Sequence, residues 1–174
     1  VGRLGGTKIL FVCTDRARES PDGMRLQKIL GNRIAGNFTG IQTHVVTNTV
    51  DAAFQSFQAS GADFLVSFGG GSAIGTGKAI GLWWIRQAEK KGEEVCRIPH
   101  LCIPTTYSGT EMTIIAGQRD KERRLKRPGR DPRILPTGIL YDPELTLSLP
   151  SRVTAASAMN ALAHCAEGLY AVIS

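Results

Sequence analysis

The sequence predicts an α/β fold: a doubly wound parallel sheet, followed by one long helix. Three observations carry this. Short apolar runs alternate with helical spacings through the first hundred residues, the order expected when crossover helices link parallel strands. Residues 64–80, FLVSFGGGSAIGTGKAI, join an apolar run to a glycine turn and a helix start. After Pro150 the texture turns alanine-rich, with only Gly168 as a breaker.

Taken in order, residues 8–14 (KILFVCT) predict the first strand, with Asp15 directly at its C-terminal end. Residues 24–34 carry Met24, Leu26, Ile29, Leu30 and Ile34 at helical spacing, and Gly36 reads as the stop. Residues 42–47 predict a second short strand. Residues 50–59 predict an amphipathic helix with Ala53, Phe54 and Phe57 on one side, closed by Gly61. Residues 64–68 are apolar and bounded by glycine, as a buried strand is.

Gly69, Gly70 and Gly71 then allow positive φ and close approach to bare N–H groups. Ser72 reads as an N-cap for a helix that continues to residue 91, with Trp83 and Trp84 on its buried side. Strand, glycine turn and helix start together make an anion site, where N–H groups and the positive end of the helix dipole converge. The expected occupant is a cofactor pyrophosphate. The stretch is neither G-x-G-x-x-G, since the last position counted from Gly69 is Ile74, nor a P-loop, since Ser72 and Ala79 occupy its second Gly and Ser/Thr places. A plain tight turn without a ligand is the alternative.

Residues 101–103 predict the next strand, ending at Pro104-Thr105-Thr106-Tyr107-Ser108-Gly109-Thr110. Hydroxyls after a strand suit phosphate or ribose contacts and also ordinary turns. Residues 138–141 predict a last short strand. Residues 151–174 read as one long helix that sets Asn160, His164 and Glu167 on one face. The change of texture separates an α/β part, 1–148, from a helical part, 149–174. The missing initial Met and the uncapped last helix read as a fragment.

Composition limits the function classes. The 174 residues include 42% hydrophobic residues, enough for a core. No apolar run nears the ~20 residues that cross a membrane, and the first ten residues lack the pattern of a signal peptide. Cys13, Cys96, Cys102 and Cys165 form no C-x-x-C pair and read as reduced, mostly buried thiols of a cytoplasmic protein. The net charge of +6 is concentrated: residues 119–133 hold eight Lys or Arg against three acids. The run lacks interleaved aromatics, which favours a small anionic partner over nucleic acid; a non-enzymatic basic nucleic-acid module is the competing class.

In order along the chain, GGGSAIGTGKAI, IPTTYSGTEMT, RDPRILP, YDPELTLSLP and ASAMNALAHCAEGLYA together resemble the iron-containing alcohol dehydrogenase superfamily. Within it the likeness is greatest to the maleylacetate reductases. The resemblance implies an N-terminal dinucleotide-binding domain (1–148), a C-terminal all-helical domain of which 149–174 would be the truncated start, its first helix, and an active site between them, in a homodimer. It implies NADH or NADPH as cofactor and a small dicarboxylate as substrate. By resemblance, Gly70, Gly71 and Ser72 form the pyrophosphate loop, Thr105, Thr106 and Ser108 lie near the cofactor, and Asp15 faces the adenosine ribose. Arg16 and Arg18 beside Asp15 keep NADPH open. Lys126 falls where the reductases carry a lysine ahead of RDPR, and His164 with Asn160 would serve catalysis. Three departures stand out. Gly75 replaces the Asp of the metal-dependent alcohol dehydrogenases, and Asn160 replaces their Asp in D-x-x-x-H. Arg127 and Pro128 replace two threonines usual after the lysine. The first two weaken His164 as a ligand for a divalent metal, because Asn is a neutral donor. A metal-dependent alcohol dehydrogenase is the alternative within the superfamily.

Overall fold

The structure, a computed structural model, describes residues 4–42, 45, 47–120 and 125–171. Five parallel strands form one sheet in the order β2-β1-β3-β4-β7: β1 (Ile9–Val12), β2 (Ile34–Phe38), β3 (Phe64–Gly69), β4 (His100–Pro104) and β7 (Gly138–Ile139). Every residue of β1 and β3 is buried. Strands covered on both faces do not alternate in polarity, which is why these two appear in the sequence as near-continuous apolar runs, with Ser67 the one polar side chain in β3.

Helices cover both faces. On one, Ile9, Phe11, Phe64 and Phe68 pack with Leu30 of α2 (Pro21–Leu30), and the rings of Phe11 and Phe68 stack at 6.2 Å. On the other, Leu10, Val12 and Leu65 meet Phe54 and Phe57 of α3 (Thr47–Ser60) and Ile80 of α4 (Gly71–Lys91). A short helix, α1 (Asp15–Glu19), follows β1, and its N-cap is Thr14, whose Oγ1 accepts from the Ala17 amide at 3.2 Å. Burial pushes the Cys13 and Cys102 thiols up to about 12, so both are inert; Cys96 and Cys165 are exposed, against the expectation of mostly buried thiols.

Five local expectations are corrected. The helix expected over 24–34 starts at Pro21 and ends at Gly31 (φ 55°), and the second strand is Ile34–Phe38, not 42–47. Residues 42 and 45 lie outside any strand, and Thr47 already opens α3. Gly36 sits within β2, where a Cβ would come 2.9 Å from the Cβ of Ser60; it is a close approach, not a stop. α4 has Gly70 as N-cap with no side-chain hydrogen bond, so Ser72 lies inside the first turn. Trp84 is 37% exposed, its ring meeting Phe57 and its Nε1 donating to Cys96 O at 2.9 Å, while Trp83 is half-buried against Phe54.

One element is absent from the sequence reading altogether. β5 (Ile115–Asp120) and β6 (Leu125–Arg130) pair as an antiparallel hairpin across the basic stretch. At its foot Arg133 joins Asp131 (2.7 Å) and Glu89 (2.6 Å), which ties the hairpin to α4. The final helix, α5 (Ser151–Tyr170), buries none of its residues against the described chain. Among the described residues no helix is long and apolar enough to cross a membrane.

Candidate cofactor cleft

The strand order fixes where a site can form. The chain leaves β1 for β2 on one side, then returns to place β3 on the other. In doubly wound sheets ligands bind at such a switch point, beyond the carboxyl ends of the two strands. Here those ends lead into Cys13-Thr14 and Gly69-Gly70-Gly71. A cleft of about 450 Å³ opens there, with Thr14, Arg16, Gly70, Ser72, Thr105 and Thr106 among its lining residues. Leu145, Leu149, Pro150 and Val153 add an apolar wall.

The floor of the cleft is the glycine turn. Gly69 has φ 141°, a backbone that residues with a side chain rarely adopt. A Cβ on Gly70 would lie 3.0 Å from the Thr106 Cγ2, and one on Gly71 would lie 2.9 Å from the Thr110 Oγ1 and 3.0 Å from the Ser108 Oγ. The hydroxyl-rich loop is therefore packed directly onto the turn, and its order depends on the missing side chains. The amides of Ala73 and Ile74 bond back to Gly70 O. Those of Gly71 and Ser72, in the first turn of a 21-residue helix without a capping side chain, have no acceptor within the helix. This is a cradle suited to phosphate oxygens, and a dinucleotide pyrophosphate fits it.

The expected residues divide by position. Gly70, Gly71, Ser72, Thr105 and Thr106 line the cleft together. Ser108 lies behind the turn, against Gly71. Asp15 begins α1, with its side chain 65% exposed and 3.7 Å from Arg18, and it is not among the lining residues; its neighbour Arg16 is. The backbone of Lys126 pairs with that of Arg119 in the hairpin, and its side chain lies outside the described residues. α5 starts beside the cleft at Val153, and Asn160 and His164 follow roughly 10 and 16 Å further along its axis. Both are exposed, and His164 Nδ1 lies 3.3 Å from Glu167 Oε2. One imidazole and one neutral amide do not by themselves hold a divalent cation. Among the described residues no group of three or more His, Cys, Asp or Glu could do so.

Sequence reasoning missed Thr14 and the apolar wall. A hydroxyl closing a strand was the available signal for Thr14; nothing in YDPELTLSLP announced that Leu145 and Leu149, but not Leu147, would line the cleft with the glycine turn. It also passed over Lys78, a charged residue inside an otherwise apolar helix stretch.

Comparison with known proteins agrees with this geometry. A maleylacetate reductase from Burkholderia cepacia is 43% identical over 171 residues, covering 98% of this chain and 44% of that enzyme. The crystal structure of maleylacetate reductase from Rhizobium sp. strain MTP-10005 superposes with a TM-score of 0.80 at 39% identity, over 98% of this chain and 44% of that one. Sulfoacetaldehyde reductase from Bifidobacterium kashiwanohense, solved in complex with NAD+, gives a TM-score of 0.85 at 25% identity, over 97% of this chain and 47% of that one. The chain thus spans less than half the length of these relatives. The family model for iron-containing alcohol dehydrogenase matches residues 1–143, almost the whole sheet with its glycine turn and hydroxyl loop, and the chain belongs to that family.

Proposed function

We propose that the full-length protein is an NAD(P)H-dependent reductase that converts maleylacetate to 3-oxoadipate. The observation that carries the cofactor half of this reading is the uncapped start of α4 at the sheet's switch point, floored by glycines and walled by Thr105 and Thr106. The substrate half is supported by several maleylacetate reductases that are 38–43% identical over almost all of this chain.

The residues take distinct tasks. The amides of Gly71 and Ser72 would hold the pyrophosphate, and the hydroxyls of Thr105 and Thr106 would orient the dinucleotide beside it. Arg16, on the cleft wall, is placed to meet a negative group of the cofactor or of a dicarboxylate. When bound, the nicotinamide supplies hydride to the carbon–carbon double bond. His164 would protonate the neighbouring carbon or anchor a substrate carboxylate, and Asn160 would orient substrate or a water. The apolar wall of Leu145, Leu149, Pro150 and Val153 would limit water at the reacting end.

The test uses the full-length protein with NADH, NADPH and maleylacetate. Expected is maleylacetate-dependent oxidation of reduced cofactor with 3-oxoadipate as product, and a loss of roughly 10²–10⁴ in kcat for His164→Ala. Cofactor binding without turnover of maleylacetate would retain the cleft and reject the substrate.

A further inference from the structure

We propose that Lys78 is a positioning residue for the cofactor cleft: from within α4 it ties down loop 105–113 and so sets the cleft wall that Thr105 and Thr106 provide. This rests on the cofactor reading above and goes beyond it, because Lys78 does not line the cleft.

Lys78 is 1% exposed, seven residues beyond Gly71 and so roughly 10 Å further along α4. Its Nζ donates to Thr110 O (2.7 Å), to Thr113 O (2.5 Å) and to Thr113 Oγ1 (2.9 Å). An ammonium has three donors, and all three are used on one loop. None is left for a substrate, which makes Lys78 a tie and not a catalytic acid. The same loop is held at its near end by packing of Thr106 and Ser108 on Gly70 and Gly71. It is therefore fastened to α4 at two places, and it turns between them at Gly109, whose φ of 66° favours glycine.

A buried ammonium is costly, and a Leu or Met would fill the space without that cost. What the ammonium adds is three directed bonds. Its surroundings are polar: Glu111 is 3% exposed and accepts from Tyr141 OH at 2.8 Å, while His100 Nε2 and Ser67 Oγ are 2.8 Å apart under Gly77.

Burial lowers the Lys78 pKa to about 8, partly offset by Cys102 and Glu111. Loss of its proton removes one of the three donors, so the tie weakens as pH rises through that value. Among the described residues, the other titratable and charged groups near it are His100 and Cys102 on β4, Glu111 with Tyr141 bonded to it, and Arg133, which shares a small cavity with it. His100 stays neutral, its pKa held near 3 by burial; Cys102 and Tyr141 are pushed up to about 12; Asp131 and Glu89 keep Arg133 charged. None of these four changes charge near pH 8.

The test titrates the full-length protein and its Lys78→Met and Thr113→Val variants with NADH across pH about 7 to about 9.5, with hydrogen exchange on residues 105–113. In the parent, affinity should fall above pH about 8. Lys78→Met should bind NADH about tenfold more weakly at neutral pH, lose the pH step and lose exchange protection in the loop but not in β1 and β3. Thr113→Val removes one acceptor of the charged form and should move the step to lower pH. A folded Lys78→Met variant with the parent's affinity and pH profile overturns the proposal. If that variant does not fold, an unmoved step in Thr113→Val overturns it. A parent that fails to bind NADH rejects the cofactor reading instead, and loop protection in Lys78→Met then decides on the tie alone.

Discussion

The sheet and the last helix are built by opposite balances. β1 and β3 bury every residue, and each strand is held on both sides by neighbours from the same 174-residue stretch. α5 is longer than any strand and continuous in hydrogen bonding, yet it buries nothing and leaves Met159, Leu162, Leu169 and Tyr170 exposed. Local propensity is enough to form an alanine-rich helix, but tertiary packing supplies most helical stability in proteins. The sheet is thus a self-sufficient body. α5 carries Asn160 and His164 on a helix whose partners are not among the described residues.

The sharpest way to break that contrast is paired truncation. Phe11→Ala, in the stacked core of the sheet, should cost about 3–5 kcal/mol, whereas Leu162→Ala on α5 should stay within about 0.5 kcal/mol. Urea unfolding of this chain measures both; comparable losses would mean that α5 packs on the sheet after all. Next comes overpacking beneath α4. A Cβ on Gly77 would lie 2.4 Å from the Ser67 Oγ and 2.7 Å from the His100 ring. Gly77→Ala should therefore cost about 1–3 kcal/mol in the same assay, although Gly→Ala at an ordinary helix position stabilises.

The buried His100 gives the sheet a pH signature. Burial holds its pKa near 3, against about 6.5 in the unfolded chain. Between those values the unfolded state binds the extra proton, so His100 removes stability as pH falls through that window and none above it. His100→Gln should flatten the pH dependence of the urea midpoint between about 6.5 and 3. A smaller effect is expected at the glycine turn in the full-length protein. Gly71→Ala crowds Ser108 and Thr110, and the NADH dissociation constant should rise about tenfold, ~1.4 kcal/mol. The smallest is Asp15→Ser, which should leave stability within about 0.5 kcal/mol and raise the NADPH-to-NADH ratio of kcat/KM. An unmoved ratio would reduce Asp15 to the first residue of α1, consistent with its exposure and its contact with Arg18.

Much of this was legible in the order of residues. Near-continuous apolar runs marked β1 and β3 because strands buried on both faces leave few polar positions, here only Ser67. The three glycines marked the turn because only residues without a Cβ tolerate the φ of Gly69 and the approach of Thr106 and Ser108 to Gly70 and Gly71. Other features depended on contacts that no local pattern encodes. β2 was misplaced because Ile34-Ala35-Gly36-Asn37-Phe38 becomes a strand only by pairing with β1. The hairpin in the basic stretch arises from cross-strand pairing of Ile115–Asp120 with Leu125–Arg130, which the clustered charge of that stretch does not announce. Leu145 and Val153 became a cleft wall, and Lys78 a tie to Thr110 and Thr113, through contacts between residues distant in sequence. Periodicity and backbone freedom are local properties and are written in the chain itself. Which side chain meets which across the fold is settled only when the sheet closes and brings the ends of β1, β3 and β4 together.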